Sequence, residues 1–196
     1  AEIVIAGGEL SLTPYERQLT GAKTQILWIH VVDYDLYLTA KNSLVKGSST
    51  HIVFLDQFLE GHPDQHQFSE LFCDPSRYFE NLQRAFTDVE QALGLPVVIA
   101  AHPQADYEAH DSRFGGREIV FGHTMELVNH SRLVLAHDST SIGFAVLLGR
   151  PVCFITDHGV QGSEVRRRSA QVMAKWLDRT IWNLDESELP RWENEL

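Results

Sequence analysis

Short apolar runs recur along the chain with polar breaks between them: "EIVIAGG" (2–8), "QILWIH" (25–30), "HIVFLDQ" (51–57), "PVVIAAHP" (96–103), "EIVFG" (118–122), "RLVLAHD" (132–138), "PVCFITD" (151–157) and "TIWNL" (180–184). Most are continuous rather than alternating, which predicts strands covered on both faces. Helical patterns fill the gaps. In "DPSRYFENLQRAFTDVEQALG" (74–94), Phe79, Leu82, Phe86, Val89 and Leu93 make one apolar stripe. Asp74 suits its N-cap, Pro75 its first position and Gly94 its exit. "TMELVNHS" predicts a shorter helix. "STSIGFAVLLG" is apolar nearly all round and predicts a buried one, ended by Gly149 before Pro151 opens a strand. "SEVRRRSAQVMAKWLDR" predicts an amphipathic helix near the end. Strands alternating with helices predict an α/β fold, a parallel sheet with helices on both faces. The loop-like stretches are 43–50, 60–70 and 104–117. The first of them divides the chain into an N-terminal β/α segment over 1–45, a remnant of a preceding domain, and a compact domain over 46–196.

Composition narrows the function classes. Apolar residues make up 43% of the chain, an ordinary globular share. The formal net charge is −11, which argues against a broad nucleic-acid or anionic-membrane surface. A local positive pocket for one phosphate group remains compatible with it. There are two cysteines and no CxxC, so neither a metal spacing nor a disulfide scaffold is expected. No apolar run approaches the roughly 20 residues that cross a bilayer, and no signal peptide is visible. Starting at Ala1 rather than Met, and opening almost at once on a strand-like run, the chain reads as a trimmed form or a fragment of something longer.

Ligands of open α/β sheets bind outside the carboxyl ends of the strands. Those ends are polar here: Gly7 and Gly8, His30 and Asp33, Asp56 and Gln57, His102 and Pro103, Gly122 and Thr124, His137 to Thr140, Thr156 and Asp157. The helix after "VLAH" is expected to begin near Ser139. Its first main-chain amides and the hydroxyls of Ser139, Thr140 and Ser141 would then suit an anion. Simple capping needs only one such residue, whereas five polar residues stand in a row. Asp138 opposes the anion reading unless it points away. His102-Pro103 ends a strongly apolar strand, and proline holds the preceding residue extended, aiming His102 at the crevice. Arg117 could close on a carboxylate or phosphate in bidentate fashion, or lie on the surface. Arg166, Arg167 and Arg168 form a charge run of the kind that usually marks a solvated helix face. Asp33 and Asp35, and the group Asp56, Glu60, His62, Asp64 and His66, offer acid–base groups without a diagnostic metal spacing. GxGxxG, GxxxxGK[ST] and GxSxG are absent, which argues against a standard dinucleotide fold, a P-loop enzyme and an α/β-hydrolase.

"VVIAAHP" followed by "LAHDSTSIGFAVLLGRPVCFI" resembles the C-terminal, donor-binding half of GT-B glycosyltransferases. The nearest likeness is to bacterial enzymes of capsule and other surface-polysaccharide synthesis, the sialyltransferase-like and Kdo-transferase-like groups. These carry an HP motif, then "S[ST]xxxxA", then a "G[KR]P" strand. Here the matches are His102-Pro103, Ser139-Thr140 with Ala145, and Gly149-Arg150-Pro151. The likeness covers residues 96–157 well and 51–60 loosely. It implies a Rossmann-like domain over 46–196 that holds a nucleotide-sugar, with His102 and the Ser139-Thr140 pair on the donor's phosphate and ribose; Pro103, Arg117, Thr124, His137 and Ser141, at or near the same strand ends, join them as donor-binding candidates. The families often use a CMP-sugar. No metal or other cofactor is implied. A glycan acceptor is implied, as are a cytoplasmic location and peripheral association with membrane-bound assembly machinery.

The departures bear on catalysis. A GT-B enzyme has two Rossmann-like domains with the active site between them, and this chain has room for one plus a little. The acidic motif that supplies the general base in sialyltransferase-like groups has no counterpart here, so Asp33, Asp35 and Asp56 are the acid candidates. Either an N-terminal catalytic half is missing or this is a reduced relative. Two alternatives stay open: a non-catalytic module that binds a nucleotide or glycan, and a sugar epimerase or hydrolase of related fold with paired carboxylates facing His102.

Overall fold

Strands form where the continuous apolar runs were expected. The computed structural model describes residues 2–7, 20–42, 44, 49–65, 71–186 and 188–196. Gly8 and His66, and residues 45–48 and 66–70 of the expected loops, lie outside the described residues. The chain divides into two units, Ala1–Ser43 and Leu44–Leu196.

In the first unit, β1 (Ile3–Ala6) pairs in parallel with β2 (Gln25–Trp28), Ile3 opposite Gln25 and Ala6 opposite Trp28. Helix α1 (Val32–Ala40) follows β2 and has no buried residue.

The second unit is an α/β domain. Its sheet contains β3 (His51–Leu55), β4 (Val97–Ala100), β5 (Ile119–Val120), β6 (Ser131–Ala136), β7 (Val152–Thr156) and β8 (Ile181–Asn183). All pairings are parallel, in the order β5-β4-β3-β6-β7-β8. That is the doubly wound, Rossmann-like order, which reverses direction between β3 and β6.

Helices cover both faces because alternate strand residues feed two cores. Ile52, Phe54, Ile99, Leu133, Leu135, Cys153 and Ile155 pack with Tyr78, Phe79, Leu82 and Phe86 of α2 (Pro75–Leu93). Val53, Leu55, Ala100, Val134, Ala136 and Phe154 face the other way. They meet Val128 of α3 (Thr124–Asn129), Ile142, Phe144 and Ala145 of α4 (Ile142–Leu148), and Ala174 of α6 (Glu164–Trp176). A one-turn helix α5 (His158–Gly162) precedes α6. Phe54, fully buried, lies 5.2 Å from the Phe86 ring centroid and anchors the first core. Each large side chain so buried contributes roughly 1.5–3 kcal/mol.

Helix α2 has the expected ends. Asp74 accepts the Ser76 N–H, Pro75 opens the helix, and Gly94 closes it at φ 66°. Gly149 closes α4 in the same left-handed conformation, φ 63°. Both positions suit glycine, which lacks the Cβ that makes φ > 0 costly. Helix α4 is less enclosed than its composition implies: Val146 is 55% exposed. Among the described residues, no helix is long and apolar enough to cross a membrane.

Candidate functional site

The switch point between β3 and β6 opens a cleft of about 500 Å³ at the carboxyl ends of the central strands. Asp56 and Gln57 come from the end of β3, and His102 and Pro103 from the end of β4. Thr124 opens α3, and Asp138 to Ser141 link β6 to α4. Of the residues singled out in the sequence, Asp56, His102, Pro103, Thr124, Ser139, Thr140 and Ser141 all line this one cleft.

Asp56 ties two of the strand ends together. Its Oδ1 accepts the Phe58 N–H at 3.1 Å and its Oδ2 accepts the His102 N–H at 3.2 Å. Burial pushes its carboxyl up from the usual range, and the donated N–H groups oppose that rise. With both oxygens engaged, Asp56 positions main chain. Phe58 sits at φ 50°, a left-handed conformation that costs a bulky residue about 1–2 kcal/mol. The bond from Asp56 holds it there, and its ring stacks on His102 with centroids 6.5 Å apart.

The His102 tautomer is fixed locally. Nδ1 accepts the Gln104 N–H at 3.3 Å, so the neutral ring carries its proton on Nε2. Burial first, and the Arg166 charge second, lower its proton affinity. His102 is therefore a neutral donor near pH 7.

The link from β6 to α4 departs from expectation. Helix α4 begins at Ile142 rather than near Ser139, and the amides of Ser141 to Phe144 are already occupied. Ser139 Oγ accepts the Ser141 N–H. The Ser139, Thr140 and Ser141 carbonyls accept those of Ile142, Gly143 and Phe144. Tight turns ahead of α4 satisfy the helix start from within. What this segment offers a ligand is its hydroxyls.

Positive charge reaches the cleft from elsewhere. Arg166 lines it from α6, although the sequence places that side chain in a solvated run. Its Nη1 donates to Asp138 Oδ1 at 3.0 Å, with both side chains less than a tenth exposed. Its guanidinium lies 4.4 Å from the Phe72 ring centroid. Among the described residues its Nε is buried with no acceptor, an omission worth of order 1–3 kcal/mol. Asp138 thus points to Arg166, which answers its expected repulsion of phosphate. His62 and Asp64 also line the cleft. The sequence carried signals that His62 and Arg166 belong with His102: His62-Pro63 repeats the His-Pro pair at 102–103, and Arg166 shares the buried stripe of α6 with Ala170 and Ala174.

Two candidates of the second unit lie outside the cleft, and two belong to the first unit. His137 is fully buried on the α2 face of the sheet, where Nδ1–H donates to the Ile155 carbonyl at 2.7 Å and Nε2 accepts the Tyr78 hydroxyl at 2.9 Å. Neither ring nitrogen is available to a donor substrate. Arg117 does make a bidentate contact, but to Glu90 of α2, through Nε at 2.9 Å and Nη2 at 2.7 Å. Its partner is internal, and it is not part of the cleft. Asp33 and Asp35 belong to α1 of the first unit, where Asp35 Oδ1 is 2.7 Å from His30 Nε2.

Among the described residues, no group of three or more His, Cys, Asp or Glu side chains is placed to hold a metal ion. No protein-family model and no curated protein sequence matches the chain.

Proposed function

We propose that residues 44–196 form the nucleotide-sugar-binding domain of a glycosyltransferase that acts in the cytoplasm on a bacterial surface polysaccharide. The observation that carries this reading is convergence. His102-Pro103 and Ser139-Thr140, far apart in sequence, line one cleft at the switch point of a doubly wound sheet. That is where such folds bind nucleotides. In a transfer reaction the donor's phosphate leaves with developing negative charge. The His102 Nε2–H, the Ser139 and Thr140 hydroxyls and the Arg166 guanidinium would stabilise it as preorganised donors. The acceptor hydroxyl must lose a proton to a base. Asp56 and Asp138 are engaged by amides and by Arg166, which leaves Asp64, about half exposed, as the cleft carboxylate able to take it.

The engagement of Asp56 and Asp138 also favours a second reading, a module that binds the same ligand without catalysing transfer. Donor hydrolysis or transfer by the chain alone separates the two.

Binding itself is tested by thermal melting with CMP, UDP and GDP. A nucleotide present at about 100 times its Kd stabilises the native state by roughly 2.7 kcal/mol, which raises Tm by about 5–10 °C for a chain of this size. His102→Ala and Ser139→Ala should abolish the shift while leaving the unliganded melt near that of the parent. No shift with any of the three nucleotides refutes the reading, as does full binding by both variants.

A further inference from the structure

The two His-Pro pairs are built alike. His62 Nδ1 accepts the Asp64 N–H at 3.2 Å, just as His102 Nδ1 accepts the Gln104 N–H at 3.3 Å. Proline has no N–H, so the first main-chain donor after each histidine lies two residues on. Accepting that bond at Nδ1 leaves the proton of each neutral ring on Nε2. Each turn therefore presents a ring-tip N–H, and among the described residues no acceptor is recorded for either. The two rings are tilted 51° to each other with centroids 5.6 Å apart, Phe72 lies 5.8 Å from His62, and Phe58 stacks on His102. Arg166, lying over Phe72 with its Nε unpaired, completes the group, and all three side chains line the same cleft.

We propose that His62, His102 and Arg166 form one cradle for a tetrahedral oxyanion, with His62-Pro63 acting as a second His-Pro turn. The proposal deepens the nucleotide-sugar reading and rests on it for naming that oxyanion as the ligand's phosphate.

The charges around the cradle give it a pH signature. Burial, then Arg166, lowers the proton affinity of His62, and the same two causes in the same order act on His102. Asp64, with Oδ2 3.7 Å from His62 Nδ1, and Asp138, paired with Arg166, pull the other way on His62. Asp56 holds the His102 main chain. Both rings are thus neutral in the empty cleft near pH 7 and do not repel Arg166. An arriving dianion favours their protonated forms, so binding takes up protons and tightens as pH falls through neutrality.

Calorimetric titration of the full chain with CMP, UDP, cytidine and inorganic sulfate tests this. Sulfate has the tetrahedral shape and two charges of a phosphate group and does not titrate in this range. His62→Phe keeps a ring against Phe72 but removes the donor, and should weaken CMP and sulfate about tenfold. Arg166→Lys should weaken both by at least about as much, since an ammonium cannot reproduce the planar fork. His62→Gln, which restores an N–H donor, should recover part of the loss. Cytidine, lacking phosphate, should be indifferent to all three. Sulfate binding to the parent should take up protons at pH 7, seen as different heats in HEPES and Tris, and His62→Phe should reduce that uptake. CMP or UDP binding that changes less than about twofold in both His62→Phe and Arg166→Lys overturns the cradle and leaves the nucleotide reading standing. Cradle-dependent sulfate binding without nucleotide binding supports the cradle and removes the nucleotide reading. Failure of the parent to bind any of the four overturns both.

Discussion

Replacing His137 with alanine should remove about 3–5 kcal/mol of stability, a large share of the roughly 5–15 kcal/mol typical of a folded domain. The ring is buried against Phe54, edge to face with centroids 5.6 Å apart, and it joins two elements by hydrogen bonds. On one side it receives the Tyr78 hydroxyl of α2, and on the other it donates to the Ile155 carbonyl of β7. Truncation leaves a cavity, a hydroxyl without its acceptor and a carbonyl without its donor, each of which is costly in the interior. Tyr78→Phe removes only one bond and should cost about 1 kcal/mol. Urea denaturation measures both. At temperatures where His137→Ala remains folded, it should bind nucleotide as the parent does. A variant that melts like the parent but has lost nucleotide binding would return His137 to the site.

Asp138→Ala should move stability and affinity in opposite directions. The carboxylate neutralises a guanidinium that is nearly all buried, and removing it leaves that charge uncompensated, at about 3–5 kcal/mol. Combining it with Arg166→Met should recover much of the loss, because the apolar pair carries no unpaired charge. Ligand binding responds with the other sign. Once freed from Asp138, Arg166 has one anion left to seek, so the single variant should bind CMP more tightly than the parent. Weaker CMP binding by a folded Asp138→Ala would mean that Asp138 itself holds the ligand. Denaturation and calorimetry on the three proteins give both quantities.

The sheet was legible because burial on both faces leaves an unbroken apolar signature. Every residue of His51–Leu55 is buried, and the run reads accordingly. Helix α2 was legible for local reasons, since its cap, its first proline and its exit glycine lie within the helix's own sequence. Several site residues were legible through strand parity. Leu133 and Leu135 face α2, and His137 continues that face. Val134 and Ala136 face the other core, and Asp138 continues toward the cleft. Counting by twos from the strand interior separates His137 from Asp138.

Pairing was not legible in this way. Nothing local in "FGGREI" names Glu90 as the partner of Arg117, since that contact depends on where α2 passes the end of the sheet. Arg166 was hidden by its neighbours, because three consecutive arginines look solvated although each points in a different direction around the helix. The hydroxyl-rich turn before α4 shows a competition that sequence leaves open. The same Ser and Thr side chains can receive a ligand or satisfy their own main chain, and here Ser139 Oγ takes the Ser141 amide while those of Ile142 to Phe144 go to carbonyls of the turn.

The central claim is that one ligand occupies the cleft where the ends of β3, β4 and β6 meet. A two-dimensional amide NMR titration with CMP reads this residue by residue. Perturbations should cluster at Asp56 and Gln57, His102 to Gln104, Ser139 to Ser141 and Arg166, and should saturate together. Perturbations centred instead on the outer groove by Arg84 and Leu189, or a spectrum unchanged at saturating nucleotide, would contradict it.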